Sequence, residues 1–171
     1  MSPRDQGAPA ALAIRDYRPT DLEALLDLVR ALQAFEGTIF DRMKPPEAIG
    51  AWYVEHLERN CRECDGYILV AEQGGALVGY AVILTRVSAV DEIDEVDYDY
   101  AHVMDLLVAA PCRGKGIGRA LLAVCEERAR AAGARWLRIA SLARNETAIA
   151  TYRRAGFEPL FVRLEKPLDH A

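Results

Sequence analysis

Apolar residues recur along the chain in two spacings, one helical and one alternating. Two apolar runs, Tyr67–Ala71 and Leu77–Thr85, flank Gly74 and Gly75, a pattern typical of a β-hairpin. Before them, apolar residues at helical spacing predict a helix that ends at Gly37: Leu22, Leu25, Leu26, Val29 and Leu32. A short alternation over Leu12–Tyr17 predicts a first strand, and the segment 44–59 predicts a second helix.

The second half of the chain continues with a long apolar run that ends at Pro111 and predicts a strand. The segments that follow predict a helix over 116–132, a strand over 135–141, a helix over 145–157 and a final strand over 161–167. The central meander implies antiparallel strands, and the strand–helix–strand stretch implies a parallel pair. We therefore predict an α+β fold with a mixed, mostly antiparallel sheet of six to seven strands and about four flanking helices. We also predict that residues 12–168 form one domain, preceded by a disordered tail over 1–11.

Composition and charge restrict the class of protein. The 171 residues are 51% hydrophobic and 27% charged, as in ordinary globular proteins, and the net charge of −5 argues against a nucleic-acid partner. No run approaches the ~20 apolar residues that cross a bilayer, and the N-terminus lacks a signal-peptide core. A cytoplasmic protein without a membrane partner is predicted. The acidic stretch Asp91–Tyr100 is either a solvated loop or a rim that attracts a cationic substrate.

The cysteines do not predict a metal site. Cys61 and Cys64 form one C-x-x-C pair with His56 upstream, but no second pair or fourth ligand completes a zinc site. The pair follows a predicted helix rather than preceding one, which is atypical of a redox motif. Free thiols and no metal are expected.

The glycine-rich stretch RGKGIGRALL, from Arg113 to Leu122, is the first sign of chemistry. Its spacing does not match a dinucleotide fingerprint, because Arg119 stands where the third glycine belongs, and the chain has no triphosphate-binding loop. Glycines before a helix let an anion approach backbone N–H groups at the positive helix end. The alternative is a turn with solvated basic residues. The stretch supplies three glycines, Gly114, Gly116 and Gly118, and three cations, Arg113, Lys115 and Arg119.

The chain from Asp105 to Phe157 resembles the GNAT N-acetyltransferase superfamily. DLLVAAPCRGKGIGRALL is similar to its acetyl-coenzyme A motif, and NETAIATYRRAGF is similar to its second motif, with Asn145, Tyr152 and Gly156-Phe157 in place. IRDYRPTDLEALLDL resembles the usual opening of such domains, so the resemblance covers roughly residues 12–168. It implies the GNAT acyltransferase fold.

The resemblance implies acetyl-coenzyme A as co-substrate, bound between strands that end near Val108 and Ser141. Backbone groups of Leu106, Leu107 and Val108 would bind the pantetheine arm as an added strand. Asn145 would reach a pantetheine amide, or would serve only as a helix N-cap. The pyrophosphate would be bound by the residues of the glycine stretch: Arg113, Gly114, Lys115, Gly116, Ile117, Gly118 and Arg119.

The implied reaction is direct attack of a primary amine on the thioester, with a backbone N–H at Leu107 or Val108 stabilising the oxyanion. Tyr152 matches the family's general acid for the leaving thiolate, although a core aromatic is the alternative. Asp105 is either the base or a structural residue, and His102 is a second candidate base. A regular strand would place 102 and 105 on opposite faces, whereas a bulge would change that parity.

The acceptor segments implied by the family are Phe35–Ala51, with neighbouring Trp52 and Tyr53, and Ser88–Tyr98. Aromatic rings and carboxylates suit a small cationic amine, an aminoglycoside-like compound or a basic peptide. One alternative is a coenzyme A-binding sensor or structural homologue without turnover, and another is transfer of a different acyl group. Family habit also allows a homodimer.

Overall fold

Five strands form one mixed sheet. The computed structural model describes residues 11–88 and 99–168. The order across the sheet follows the order along the chain, and neighbours are antiparallel except the last two, which are parallel. The mixed and mostly antiparallel sheet is therefore confirmed. The strands are β1 (Leu12–Asp16), β2 (Tyr67–Gln73), β3 (Ala76–Ser88), β4 (Asp99–Val108) and β5 (Leu137–Ile139).

Four α-helices accompany the sheet, as predicted: α1 (Leu22–Gly37), α2 (Ala51–Glu63), α3 (Ile117–Ala131) and α4 (Glu146–Arg154). The second helix begins later than the predicted residue 44. A short 3-10 turn, Pro46–Ala48, comes first, and then Ile49 and Gly50 have extended backbone angles that interrupt the helix. The hairpin between β2 and β3 turns at Gly74 and Gly75, whose φ angles of 61° and 79° suit glycine.

The two faces of the sheet carry separate cores. One face packs against α1 and α2, through buried residues such as Leu25 and Leu57. The other packs against α3, through Leu121 and Leu122. Since neighbouring strand residues point to opposite faces, the long apolar run of β3 is buried on both sides. Tyr152 of α4 packs at the edge of the second core.

The predicted strand count of six to seven is too high for the described residues, which contain five. The difference lies in the predicted final strand over 161–167, which has no regular secondary structure. Its alternation of apolar and charged residues suits a strand, but a strand also needs a neighbour for its backbone hydrogen bonds. No described strand pairs with it, and its apolar side chains are exposed: Phe161, Val162 and Leu164.

A bulge in β4 changes which side chains share a face. Val82 of β3 pairs with Asp105, while the next residue, Ile83, pairs with Val103, so Met104 is the extra residue. Directly paired residues lie on one face of the sheet, and His102 pairs with Leu84, two residues beyond Val82. His102 and Asp105 therefore share the face that packs on α1 and α2.

Candidate active site

The sheet opens between β4 and β5. The two strands pair only over Ala101–Val103 and Leu137–Ile139. Beyond that point, the stretch from Met104 to Val108 has β3 on one side and no described strand on the other. Backbone groups along this edge are therefore open to an extended ligand, which could add to the sheet as a further strand.

The glycine stretch follows this open edge directly. Gly114 and Gly116 have φ angles of 76° and 82°, which other residues adopt only with strain. A Cβ atom at either position would meet nothing within 4 Å on the protein, so both face open space. No side chain caps the N-terminus of α3 at Gly116. The first turn of α3 therefore presents backbone N–H groups and the positive end of the helix dipole.

The remaining residues of the stretch divide into anchors and exposed cations. Ile117 is buried and fixes the start of α3 in the core, and Gly118 lies close to Val108, whose Cγ2 would be 3.5 Å from an added Cβ. Lys115 and Arg119 are exposed beside the open loop. They are available to an anion because no described residue forms an ion pair with them.

Arg113 is bound to the protein at several points. Its Nε donates to the Val108 carbonyl at 3.0 Å, and its guanidinium lies 5.1 Å from the centre of the Phe35 ring. Its backbone N–H donates to the carbonyl of Ala110 at 3.3 Å. Arg113 therefore connects the end of β4 with the C-terminal end of α1.

Asp105 accepts hydrogen bonds from two tyrosines. The hydroxyls of Tyr53, on α2, and Tyr80, on β3, both donate to its Oδ2 at 3.0 Å. Burial raises the pKa of Asp105, while the two phenols lower it. Burial also raises the pKa of both tyrosines, which therefore stay protonated donors at neutral pH. This arrangement holds the carboxylate in place on the face that carries His102.

His102 is partly buried and stays neutral at lower pH than usual. Burial lowers its pKa first, and the neighbouring positive charge of Arg138 lowers it further. A neutral imidazole at pH 7 has a free lone pair, as a base requires.

Tyr152 has a hydroxyl without a partner in the described part of the chain. The ring packs edge-on against Phe157, with centroids 6.1 Å apart. Burial raises its pKa to about 12, and the negative charge of Glu36 contributes. The phenol is therefore protonated at every physiological pH and is able to donate a hydrogen bond to a ligand.

Asn145 caps α4 at the far side of the opening. Its side-chain oxygen accepts the backbone N–H of Ala148 at 3.2 Å, which confirms the predicted N-cap. The amide nitrogen of the same side chain has no described partner. Asn145 can therefore cap α4 with its side-chain oxygen and donate a hydrogen bond to a ligand with its side-chain nitrogen.

A sequence profile of the Acetyltransferase (GNAT) family matches residues 29–157, which include the open edge, the glycine stretch and α4. This chain belongs to the GNAT family. An IAA acetyltransferase of Azospirillum brasilense is 30% identical over 157 residues, covering 85% of this chain and 92% of that protein. GNAT enzymes use acetyl-coenzyme A. Membership of this family supports an acyltransferase activity for this protein.

Solved structures agree with the GNAT fold. A mutant of the BH1408 protein from Bacillus halodurans has a TM-score of 0.81 at 19% identity, covering 91% of this chain and 99% of that one. AAC(6')-Iy, in complex with the bisubstrate analog CoA-S-monomethyl-acetylneamine, has a TM-score of 0.71 at 17% identity, covering 93% of this chain and 100% of that one. At these identities the likeness concerns the fold.

The sequence did not single out Glu36, the last carboxylate of α1. After burial, which is the main cause, the negative charge of Glu36 also raises the pKa of three phenols, those of Tyr53, Tyr80 and Tyr152. Its own pKa is raised by burial and by the charge of Asp105. The only signal was its place within the predicted acceptor segment Phe35–Ala51. The second predicted acceptor segment lies outside the described residues, apart from Ser88.

No metal-binding group of three or more His, Cys, Asp or Glu side chains occurs in residues 11–88 and 99–168. Cys61 and Cys64 are free, and burial raises the pKa of Cys61 to about 11, which keeps it a thiol. None of the described helices combines the length and the apolar character needed to cross a membrane.

Proposed function

We propose that this protein transfers the acetyl group of acetyl-coenzyme A to a primary amine. The observation that carries the proposal is the unpaired edge of β4 from Met104 to Val108, followed at once by a glycine loop and an uncapped helix N-terminus. An extended amide chain that ends in a pyrophosphate matches this sequence of features. The edge supplies strand-like hydrogen bonds and the loop supplies convergent N–H donors.

The proposed donor site divides between the two motifs. Leu106, Leu107 and Val108 bind the pantetheine arm through their backbone, and the amide nitrogen of Asn145 closes it from the α4 side. The N–H of Arg113 already donates to Ala110, so the loop glycines and the first turn of α3 supply the other donors for the pyrophosphate. The pyrophosphate is bound by Gly114, Lys115, Gly116, Ile117, Gly118 and Arg119. Arg113 lies next to them, where it binds the end of β4.

The proposed chemistry needs three contributions from this chain. The thioester supplies the activated acetyl group, and positioning makes its reaction with the amine effectively unimolecular. A backbone N–H of Leu107 or Val108 stabilises the charge that develops on the carbonyl oxygen. Tyr152 donates its phenol proton to the leaving sulfur, a role for which its hydroxyl is protonated at neutral pH and has no described partner.

The acceptor nitrogen must lose a proton before it attacks. His102 and Asp105 lie on the same face through the bulge at Met104, so both can serve the same substrate. His102 fits the base role better, because it is neutral at pH 7 while Asp105 already accepts hydrogen bonds from two phenols. We assign Asp105 to positioning and His102 to proton acceptance, directly or through water.

An acceptor screen tests this function. Purified protein is mixed with acetyl-coenzyme A and a panel of polyamines, aminoglycosides, amino acids and short peptides, and released thiol is measured with a colorimetric reagent. Thiol release that depends on one class of amine, with the acetylated product confirmed by mass, is the expected result. Tight coenzyme A binding without turnover of any amine would indicate a sensor instead. Parallel assays with propionyl- and butyryl-coenzyme A test the acyl group.

A homodimer and a cytoplasmic location stay predictions. The segment 160–168 has exposed apolar side chains, and the ring of Phe161 lies 5.9 Å from the guanidinium of Arg138 on β5, the last strand of the sheet. A second copy could pair with both the segment and the outer edge of β5 reciprocally. Sedimentation of the wild type and of Phe161→Ser tests the dimer. A dimer that the substitution weakens is expected, and a monomeric wild type contradicts it.

A further inference from the structure

Glu36 lies at the junction of the donor and acceptor sides of the site. It precedes the last residue of α1, and its neighbour Phe35 lies under the guanidinium of Arg113. Arg113 in turn binds the end of β4. α1 also packs on the face of β4 that carries Asp105. The charge of Glu36 therefore acts on groups from both elements: it interacts with the charge of Asp105 on β4 and, after burial, it raises the pKa of Tyr152 on α4.

Glu36 has a charge without a counterion in the described part of the chain. Its side chain is partly buried and forms no hydrogen bond or ion pair with any described residue. The charged group that shifts the pKa of Glu36 is the carboxylate of Asp105, which is also negative. Burying an unpaired charge next to a like charge is costly, so such a site favours a ligand that brings a positive charge.

The reacting nitrogen is not the best match for that carboxylate. The nucleophile must be a neutral amine when it attacks, and an adjacent negative charge would stabilise its protonated form instead. A nitrogen that remains an ammonium throughout the reaction has no such conflict. The unpaired carboxylate therefore fits a second cationic group of the acceptor.

We propose that Glu36 binds a second ammonium group of the acceptor, so that the enzyme selects diamines and larger polycations over monoamines. This inference rests on the proposed function and adds to it a specificity-determining residue. Glu36 positions the acceptor, while His102 and Tyr152 move the protons.

The test compares diamines with monoamines of the same carbon number. Kinetics are measured for diaminobutane against butylamine and for diaminohexane against hexylamine, with wild type and Glu36→Gln. The wild type should prefer at least one diamine. The substitution should raise the KM for that diamine by about tenfold or more, the scale of a charge-assisted hydrogen bond. The KM for acetyl-coenzyme A should change little, and the KM for the matching monoamine should rise much less than the KM for the diamine.

Asp27→Asn is the matched control. Asp27 lies on the same helix, nine residues earlier and thus half a rotation away, and its side chain is 80% exposed. This variant loses the same charge and should behave as wild type, and circular dichroism of both variants monitors folding.

The outcomes separate this inference from the proposed function. A wild type without diamine preference, or a preference that survives Glu36→Gln, overturns the role of Glu36 while leaving acetyl transfer in place. Equal losses with the diamine and the monoamine overturn it too, since they indicate a general defect. A wild type that acetylates no amine overturns both proposals.

Discussion

Removing the hydroxyl of Tyr152 tests the proposed general acid with little other disturbance. The oxygen has no described hydrogen-bond partner, so Tyr152→Phe removes no contact within the described chain. The Phe157 ring contact remains. We therefore expect the free energy of unfolding to change by less than about 1 kcal/mol.

The size of the catalytic effect depends on how well the phenol and the leaving thiolate match in basicity. The pKa of Tyr152 is about 12, whereas an exposed thiol has a pKa of about 8.5. That gap would make proton transfer unfavourable. However, burial in this same protein raises the pKa of the Cys61 thiol to about 11 and of the Cys125 thiol to about 12. If the leaving sulfur is as buried in the complex as these thiols are, it matches the phenol in basicity and proton transfer is nearly balanced.

A matched general acid contributes about 10²–10⁴ to the rate, so we expect Tyr152→Phe to lower kcat by at least about 100-fold. The KM for acetyl-coenzyme A should change little, because ground-state binding is assigned to groups other than the Tyr152 hydroxyl. Steady-state thiol release with the best acceptor of the screen measures both constants. An unchanged kcat, or a loss confined to KM, would refute the acid role. Wild-type kcat should also show no alkaline decline from this phenol below about pH 11, since its proton is lost only near pH 12.

Three further substitutions test the glycine loop, the hydrogen bonds to Asp105 and the ion pair between Arg15 and Asp21. Gly116→Ala should raise the KM for acetyl-coenzyme A by about tenfold or more, because its φ of 82° is strained for alanine. Gly133→Ala, with φ of 81° at the other end of α3, is the control that carries the same strain without the effect on KM. Asp105→Ala should lower the free energy of unfolding, measured in urea, by about 2–4 kcal/mol, because two phenols lose their acceptor. The loss should be smaller in a Tyr80→Phe background, and equal losses would contradict the network. Arg15 forms an ion pair with Asp21, with 2.7 Å between Nη1 and Oδ2, and its hydrogen bond lowers the pKa of Asp21. The contribution of this pair to stability is therefore present above the ordinary pKa of 3.8 and lost as pH falls below that value. Asp21→Asn should therefore destabilise most near pH 7, with a gap to wild type that closes in acid, and a gap independent of pH would contradict this origin.

Local signals predicted several turns and helix ends correctly. Each of these features depends on residues within a few positions of one another, so a short stretch of sequence is enough to predict it. They are the N-cap at Asn145, the hairpin at Gly74 and Gly75, and the start of α3. The missing final strand is the contrasting case. Residues 161–167 have the right alternation, but strand formation depends on a partner, and no local pattern reveals whether the partner is present.

The acceptor side depends on distant pairings, which is why the sequence named the segment around Glu36 without singling out the residue. Glu36 and Asp105 lie 69 positions apart along the chain. They are brought together by the packing of α1 on β4. The shared face of His102 and Asp105 depends on one extra residue in β4, and a bulge leaves no compositional mark at Met104.

The end of α1 joins the two halves of the site physically. Arg113 holds Phe35 from the β4 side, and Arg144, which precedes the α4 cap, donates to the carbonyl of Ile39 in the loop that follows α1. Glu36 thus lies on a segment that contacts both sides of the opening in the sheet, the end of β4 on one side and the start of α4 on the other. A ligand that changed the distance between β4 and α4 would therefore be expected to change the position of Glu36 relative to Tyr152. For this reason the acceptor preference and the affinity for acetyl-coenzyme A should be measured on the same variants, since a substitution on either side of the opening can affect both properties.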